Sequence, residues 1–143
     1  MRYRWEGRLT VDVPEDWEVV EPGDLIEILP PDGTGALHIS LYNRERTEPP
    51  TEAEARSLLE WFCRSKGGQP DFVIESRPDE TRASCRFEIL DDDDVVGWKA
   101  IAIVWIHRAV LATYNGELST KAASRAEVVL ESIRPDGSLV LEG

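Results

Sequence analysis

Hydrophobic and polar residues alternate along much of this chain, and one segment breaks the alternation. In "GRLTVDV" and in "ALHISLY" every second side chain is apolar, whereas "AIAIVWI" at residues 100–106 is apolar throughout. A period of two is typical of a β-strand with one buried face, and an antiparallel strand that is apolar on both sides needs cover on both. The pattern therefore predicts a sheet whose central strand lies between two layers.

Two other segments have the period of a helix. The segment "PPTEAEARSLLEWFCRSKGG" predicts a helix over 51–66, with Thr51 as N-cap, Glu54 completing a capping box and Gly67 ending it. Its apolar stripe comprises Ala55, Leu58, Leu59 and Phe62. The segment "LSTKAASRAEVVLESI" predicts a second helix that Pro135 stops. Its apolar stripe comprises Ala122, Ala126, Val129, Leu130 and Ile133.

Four consecutive aspartates, Asp91 to Asp94, separate two strand-like segments. If the two strands pair through a bend at the aspartates, the apolar sets match, with Phe87 facing Trp98, Cys85 facing Ala100 and Ala83 facing Ala102. A calcium loop would need alternating ligands, a glycine at its bend and a later glutamate, and this segment lacks that spacing. The aspartates are therefore predicted to form a solvated turn and not a metal site.

A second bend is predicted near His107 and Arg108, which would pair Trp105 with Val110, Ile103 with Ala112 and Ile101 with Tyr114. The apolar residues of this hairpin are interpreted first as core. If no helix covered that face, they would form an apolar patch able to bind another protein. The candidate binding residues are Ile101, Ile103, Trp105, Val110, Ala112 and Tyr114.

Composition limits the partners. The 143 residues suit one domain over 1–143, and 28 acidic against 16 basic residues give a formal charge of −12. Such a charge disfavours nucleic acid and anionic membranes, so we expect neither, and a charged partner would be basic. Without a long apolar run or an apolar leader, the chain is expected to be soluble and cytoplasmic.

Little in the sequence indicates chemistry. Cys63 and Cys85 are interpreted as reduced, core-filling thiols, and His38 and His107 as structural residues. No nucleophile elbow, dinucleotide fingerprint or phosphate loop occurs. The sequence therefore predicts no cofactor, no metal site and no enzymatic activity. The alternative is a small-ligand site or an active site between the sheet and the first helix, with His38 or Cys63 beside a carboxylate.

The order of elements resembles the Mog1/PsbP-like fold. The resemblance rests on "VDVPEDW", "DGTGALHISLY", "PPTEAEA" and "AEVVLESIRP", and it extends from about residue 8 to 135, leaving a tail over 136–143. It implies an α+β fold in which an antiparallel sheet is flanked by helices, an α/β/α sandwich. Members include an extrinsic subunit of photosystem II, a regulator of a small GTPase and bacterial secretion chaperones, so the resemblance implies binding and carries over no catalytic residue.

The leading hypothesis is a non-enzymatic adaptor or chaperone-like domain that binds a basic or apolar segment of another protein, with a homodimer as one form of it. An acidic immunity protein is a further alternative to the ligand-binding one.

Overall fold

The computed structural model describes residues 1–21, 23–31, 33 and 35–136. Within these residues the chain forms ten strands and two helices. In chain order they are β1 (Arg2–Trp5), β2 (Leu9–Asp12), β3 (Glu18–Val20), β4 (Leu25–Leu29), β5 (Gly35–Asn43), α1 (Glu52–Lys66), β6 (Val73–Arg77), β7 (Glu80–Asp91), β8 (Asp94–Val104), β9 (Arg108–Gly116), α2 (Lys121–Glu131) and β10 (Arg134–Pro135).

The strands form two antiparallel sheets. The larger has seven strands in the order β3-β4-β5-β9-β8-β7-β6, and the smaller has the order β1-β2-β10. Helices α1 and α2 pack on the larger sheet. The predicted α+β class, an antiparallel sheet flanked by helices, is confirmed.

Helix α1 begins and ends as its sequence predicts. The Thr51 side chain accepts a hydrogen bond from the Glu54 backbone N–H, and Gly67 ends the helix in the left-handed conformation at φ 82°. The apolar stripe is buried at Ala55, Leu59 and Phe62, and Cys63 extends it. The stripe lies over β6, β7 and β8.

Helix α2 ends earlier than predicted. Thr120 caps its start by accepting from the Ala123 N–H, but Ser132 is already the C-cap, before the proline is reached. Arg134 and Pro135 then pair with β2, so the proline lies in a short strand and does not itself stop the helix. Of the predicted tail over 136–143, only Asp136 falls inside the described residues, and it is buried at 4% exposure.

Strand β8 is covered on both sides, as its continuous apolarity predicts. Residues 100–104 are at most 5% exposed. One face joins the core beneath α2 and the smaller sheet, and the other joins the core beneath α1. The two covers are offset, because α1 packs on β6, β7 and β8 whereas α2 packs on β5 and β9.

The aspartate bend is confirmed in register. Asp91 pairs with Asp94, and the predicted pairs of Phe87 with Trp98, Cys85 with Ala100 and Ala83 with Ala102 are all present. Asp92 and Asp93 adopt positive φ values of 49° and 69°. Two successive left-handed residues match the twist of a two-residue hairpin turn, and aspartate tolerates that conformation better than most residues do.

The predicted register of the second hairpin is wrong by two residues. Ile103 pairs with Val110 and not with Ala112, and Ile101 pairs with Ala112 and not with Tyr114. Trp105 does not face Val110, because its N–H bonds to the carbonyl of Arg108 at 2.8 Å and closes a tighter turn than predicted. A shift of two residues leaves every side chain on its predicted face, so the apolar pattern fits both registers equally well.

Candidate functional site

The six candidate binding residues of the second hairpin do not form an open patch. All are 0–6% exposed and belong to one core cluster. Helix α2 supplies Ala126 and Leu130 to that cluster, and β2 supplies Leu9 and Val11. The prediction of an open docking patch is therefore wrong, because this face is covered, and the six residues belong to the core. They are Ile101, Ile103, Trp105, Val110, Ala112 and Tyr114.

A groove opens on the same side of the sheet, between α2 and the outer strands β6 to β8. Its cavity is about 970 Å³. The floor consists of alternate β7 side chains, and the walls include Glu127 and Leu130 of α2 and the 67–71 segment that follows α1. The floor residues are Glu80, Arg82, Ser84, Arg86 and Glu88. Sequence analysis placed an alternative pocket between the sheet and the first helix, whereas this groove lies beside the second.

The inner end of the groove holds a closed hydrogen-bond network. Arg82, whose side chain is 13% exposed, donates from Nε and Nη2 to both carboxylate oxygens of Glu80, at 2.8 and 3.2 Å. Arg82 also donates to the carbonyl oxygens of Glu131 and Ile133, and Trp105 Nε1 donates to Glu80 at 2.7 Å. These groups are occupied in joining the end of α2 to the sheet.

The network controls the charge of Glu80. Burial acts to raise the pKa of its carboxyl, but the hydrogen bonds from Arg82 and Trp105 outweigh burial and leave the pKa below its ordinary value. Glu80 is therefore ionised at neutral pH, and it is a structural anion.

Further along the floor, the basic side chains differ in how they are used. Lys99 is 6% exposed, and its Nζ lies 3.2 Å from Oε2 of Glu127 on α2. Arg86 is exposed and forms no ion pair among the residues that the structure describes. Lys99 is thus neutralised by α2, whereas the charge of Arg86 is free within those residues.

The outer end of the groove continues onto a projecting arm, which we define as residues 88–96. Strand β6 pairs with β7 only at residues 80–84, and β9 pairs with β8 only from Gly97 onward. Across the described part of the chain, the arm therefore has no neighbouring strand on either side. Both of its backbone edges are free to pair with an added strand.

The arm carries an exposed apolar pair. Leu90 and Val95 face each other across the two strands and are 77% and 57% exposed. By the alternation of side chains, Leu90 lies on the same face of β7 as Arg86 and Glu88, which is the groove face. The arm also holds five carboxylates, at Glu88 and residues 91–94, and no basic side chain.

Of the residues considered for an active site, His38 does lie beside a carboxylate, but neither His38 nor Glu27 lines the groove. His38 Nε2 lies 2.9 Å from Oε2 of Glu27 on the neighbouring strand β4. Cys63 contacts Cys85, with their Sγ atoms 3.6 Å apart. Burial raises the pKa of both thiols, and the neighbouring Cys63 raises that of Cys85 further, so both are protonated and weakly nucleophilic at neutral pH.

No cluster of three or more His, Cys, Asp or Glu side chains suited to a metal ion occurs within the described ranges. Among the same residues, neither helix is long and apolar enough to cross a bilayer.

Two features of this region are not predicted by the sequence. The aspartates are predicted only as a turn, and the sequence pattern does not distinguish Leu90 and Val95 beside them, which are exposed, from apolar residues that are covered. The sequence also predicts Cys63 and Cys85 as core-filling thiols and not as a pair. Cys63 continues the inner stripe of the helix, and Cys85 belongs to the apolar set of the strand that the helix covers, but these patterns do not specify where the helix crosses the strand.

Comparison with known proteins supports the fold. Neither a protein-family model nor a curated protein matches the sequence. A crystal structure from Bacteroides thetaiotaomicron VPI-5482, at 1.50 Å resolution, is similar with a TM-score of 0.64 and 15% sequence identity. The similarity covers 90% of this chain and 45% of that chain, so this chain spans less than half the length of that protein. At this identity the likeness shows a shared fold and nothing about activity.

Proposed function

We propose that this protein is a non-enzymatic binding domain that docks a basic, apolar-containing, extended segment of another protein on the arm and the adjoining end of the groove. The observation that carries the proposal is the arm, where exposed apolar side chains, free strand edges and concentrated negative charge coincide.

The apolar pair provides the contact energy. Burial of apolar surface stabilises a complex by about 25 cal/mol per Å². The two exposed aliphatic side chains of Leu90 and Val95 can therefore anchor a partner. The free edges of β7 and β8 provide backbone hydrogen bonds, since an extended segment can add to an exposed strand edge while its alternate side chains enter neighbouring pockets.

The charge of the arm selects the partner. Five carboxylates and no basic group over residues 88–96, on a chain of net charge −12, favour a cationic segment and repel an anionic one. This is also why we propose that neither nucleic acid nor an anionic membrane is the partner.

The wider proposal follows the same reasoning. An antiparallel sheet with a helix on each face, together with the order of the elements, supports membership of the Mog1/PsbP-like superfamily, whose members bind other proteins. Two cysteines in 143 residues are few for a secreted domain stabilised by disulfides, and we propose a cytoplasmic location.

The test is mapping by nuclear magnetic resonance with a defined probe, a short peptide of alternating Lys and Val, against a matched peptide of alternating Glu and Val. We expect the basic peptide to shift the amide signals of residues 88–96 and of the outer groove, and the acidic peptide to shift none. Binding should weaken as salt is added, because the charges are exposed.

Two variants separate specific docking from general attraction to an acidic surface. The double variant Leu90→Ser and Val95→Ser keeps every charge, and we expect binding about tenfold weaker, equivalent to roughly 1.4 kcal/mol. The variant Asp92→Asn and Asp93→Asn keeps the turn, because asparagine also tolerates positive φ. Shifts that spread over the whole acidic surface and survive the Leu90 and Val95 changes would refute docking on the arm.

A second candidate is binding of a small molecule in the groove, which its volume of about 970 Å³ favours. The same spectra distinguish it, since a small ligand in the groove would perturb the amides near Arg82 and Lys99 and leave the arm unchanged.

A further inference from the structure

The two cysteines of this chain are neighbours in space although they are 22 positions apart in sequence. Cys63 lies on the buried face of α1, and Cys85 lies on β7, the strand that this helix covers. Their sulfur atoms are 3.6 Å apart and unbonded. A disulfide needs about 2.05 Å between the sulfurs, so closing it asks for a movement of roughly 1.5 Å, within the reach of side-chain rotation and a small helix displacement.

The two thiols differ in access. Cys63 is 2% exposed, whereas Cys85 is only partly buried and contributes to the lining of the groove. Pairing between β6 and β7 ends at Ser84, so Cys85 lies at the open edge of β7, where an oxidant can reach it before Cys63, which is held against it. A partly accessible cysteine with a second one held against it supplies the resolving thiol that a reversible disulfide needs. Because burial raises the pKa of both thiols, the reaction should be slow at neutral pH and should become faster as the pH rises.

We propose that Cys63 and Cys85 form a reversible redox pair, which a low-molecular-weight disulfide such as oxidised glutathione converts into an intramolecular disulfide. This inference is independent of the peptide-binding function proposed above.

The reaction has two steps. Cys85 loses its proton to solvent, and its sulfur attacks one sulfur of oxidised glutathione, forming a mixed disulfide and releasing one glutathione thiolate. Cys63 then loses its proton and attacks the Cys85 sulfur, which forms the protein disulfide and releases the second glutathione thiolate. The two thiolates take up two protons. In total, two protein thiols are oxidised and one oxidised glutathione is reduced to two glutathiones.

The consequence is mechanical. The disulfide would close a loop that contains the end of α1, the 67–71 wall of the groove and strand β6. Closing this loop removes freedom chiefly from the unfolded chain, so the oxidised protein should be more stable than the reduced protein. It would also tie helix α1 to the strand whose continuation is the arm.

In the experiment, the folded protein is incubated in glutathione buffers that range from fully reduced to fully oxidised. The reaction is then quenched with acid, and the mass of the intact protein is measured. We expect the wild type to lose two hydrogens without retaining a glutathionyl group, and peptide mapping to join Cys63 to Cys85. The melting temperature should rise by roughly 5–15 °C, and dithiothreitol should reverse both changes.

The two single variants test which cysteine reacts with glutathione first. In Cys63→Ser, oxidation should stop at the glutathione adduct on Cys85, whereas Cys85→Ser should stay unmodified because Cys63 is buried. Near-ultraviolet circular dichroism checks that both variants are folded, and the wild-type result alone decides the question if either is not. A wild type that remains reduced in every buffer, retains a glutathionyl group at Cys85 or forms only intermolecular disulfides would overturn the proposal.

Discussion

The two halves of the β7–β8 hairpin both carry aliphatic side chains and have different roles. Near its base, residues 100–104 of β8 are at most 5% exposed, whereas Leu90 and Val95 at its tip are 77% and 57% exposed. All these positions carry aliphatic side chains on paired antiparallel strands. The difference is that helices and neighbouring strands lie against the base and not against the tip. Aliphatic side chains therefore occur at both ends of the hairpin, and their surroundings decide which of them are core and which can be docked.

The largest expected effect lies in the base. Changing Ile103, which is fully buried, to Ala removes methyl and methylene groups from the core beneath α2 and leaves a cavity. We expect a loss of about 2–5 kcal/mol in the free energy of unfolding, measured by urea denaturation. The matched control is Val95→Ala on the same strand. If both variants lost equal stability, the contrast between base and tip would be refuted.

An intermediate effect is expected where the groove meets the base. Glu80→Gln removes the anion that Arg82 and Trp105 hold, with an expected loss of about 1–3 kcal/mol at pH 7. Because the folded state lowers the pKa of Glu80 from its ordinary 4.5, the charged carboxylate stabilises the fold above that value. This contribution is lost as the pH falls through the lowered folded-state pKa.

The melting temperatures of wild type and Glu80→Gln should therefore converge as the pH is lowered from 7 toward 3. Trp105→Phe is the companion variant, since it keeps the carboxylate and removes one donor, and it should reduce the pH-dependent difference without abolishing it. A gap between wild type and Glu80→Gln that stayed constant with pH would show that the network does not depend on the charge of Glu80.

The smallest expected effect on stability lies at the tip. The double variant Leu90→Ser and Val95→Ser should change the free energy of unfolding by less than about 0.5 kcal/mol, because both side chains are largely in water already. Thermal and urea unfolding check this directly. A loss above about 1 kcal/mol would mean that the tip is packed, and a surface needed for folding would be a poor docking surface.

Much of the fold could be predicted because the local signals are strong. The Thr51 cap and the Gly67 stop fix α1 through hydrogen bonds and backbone geometry that involve only near neighbours. The aspartate hairpin could be predicted in register, since its turn and its apolar pairs agree. The second hairpin could not, because a two-residue slip leaves each side chain on the same face and its turn residues gave no sharper signal.

The candidate site could be predicted much less well. Ile101 and Leu90 are equally apolar in sequence, and the first is core while the second is exposed, since only α2 and the smaller sheet decide which surface is covered. The contact between Cys63 and Cys85 likewise depends on the position at which the helix crosses the strand, which no local pattern records.

The sequence by itself determined helix α1, the register of the aspartate hairpin, the burial of residues 100–104 on two faces and the negative charge of the tip, because these follow from periodicity, capping and composition. Only the tertiary structure decided the offset of the two helices, the groove that this offset leaves open, the free edges of the arm and the meeting of the two thiols. Those features depend on how distant segments pack, and packing between distant segments leaves no local trace in the chain.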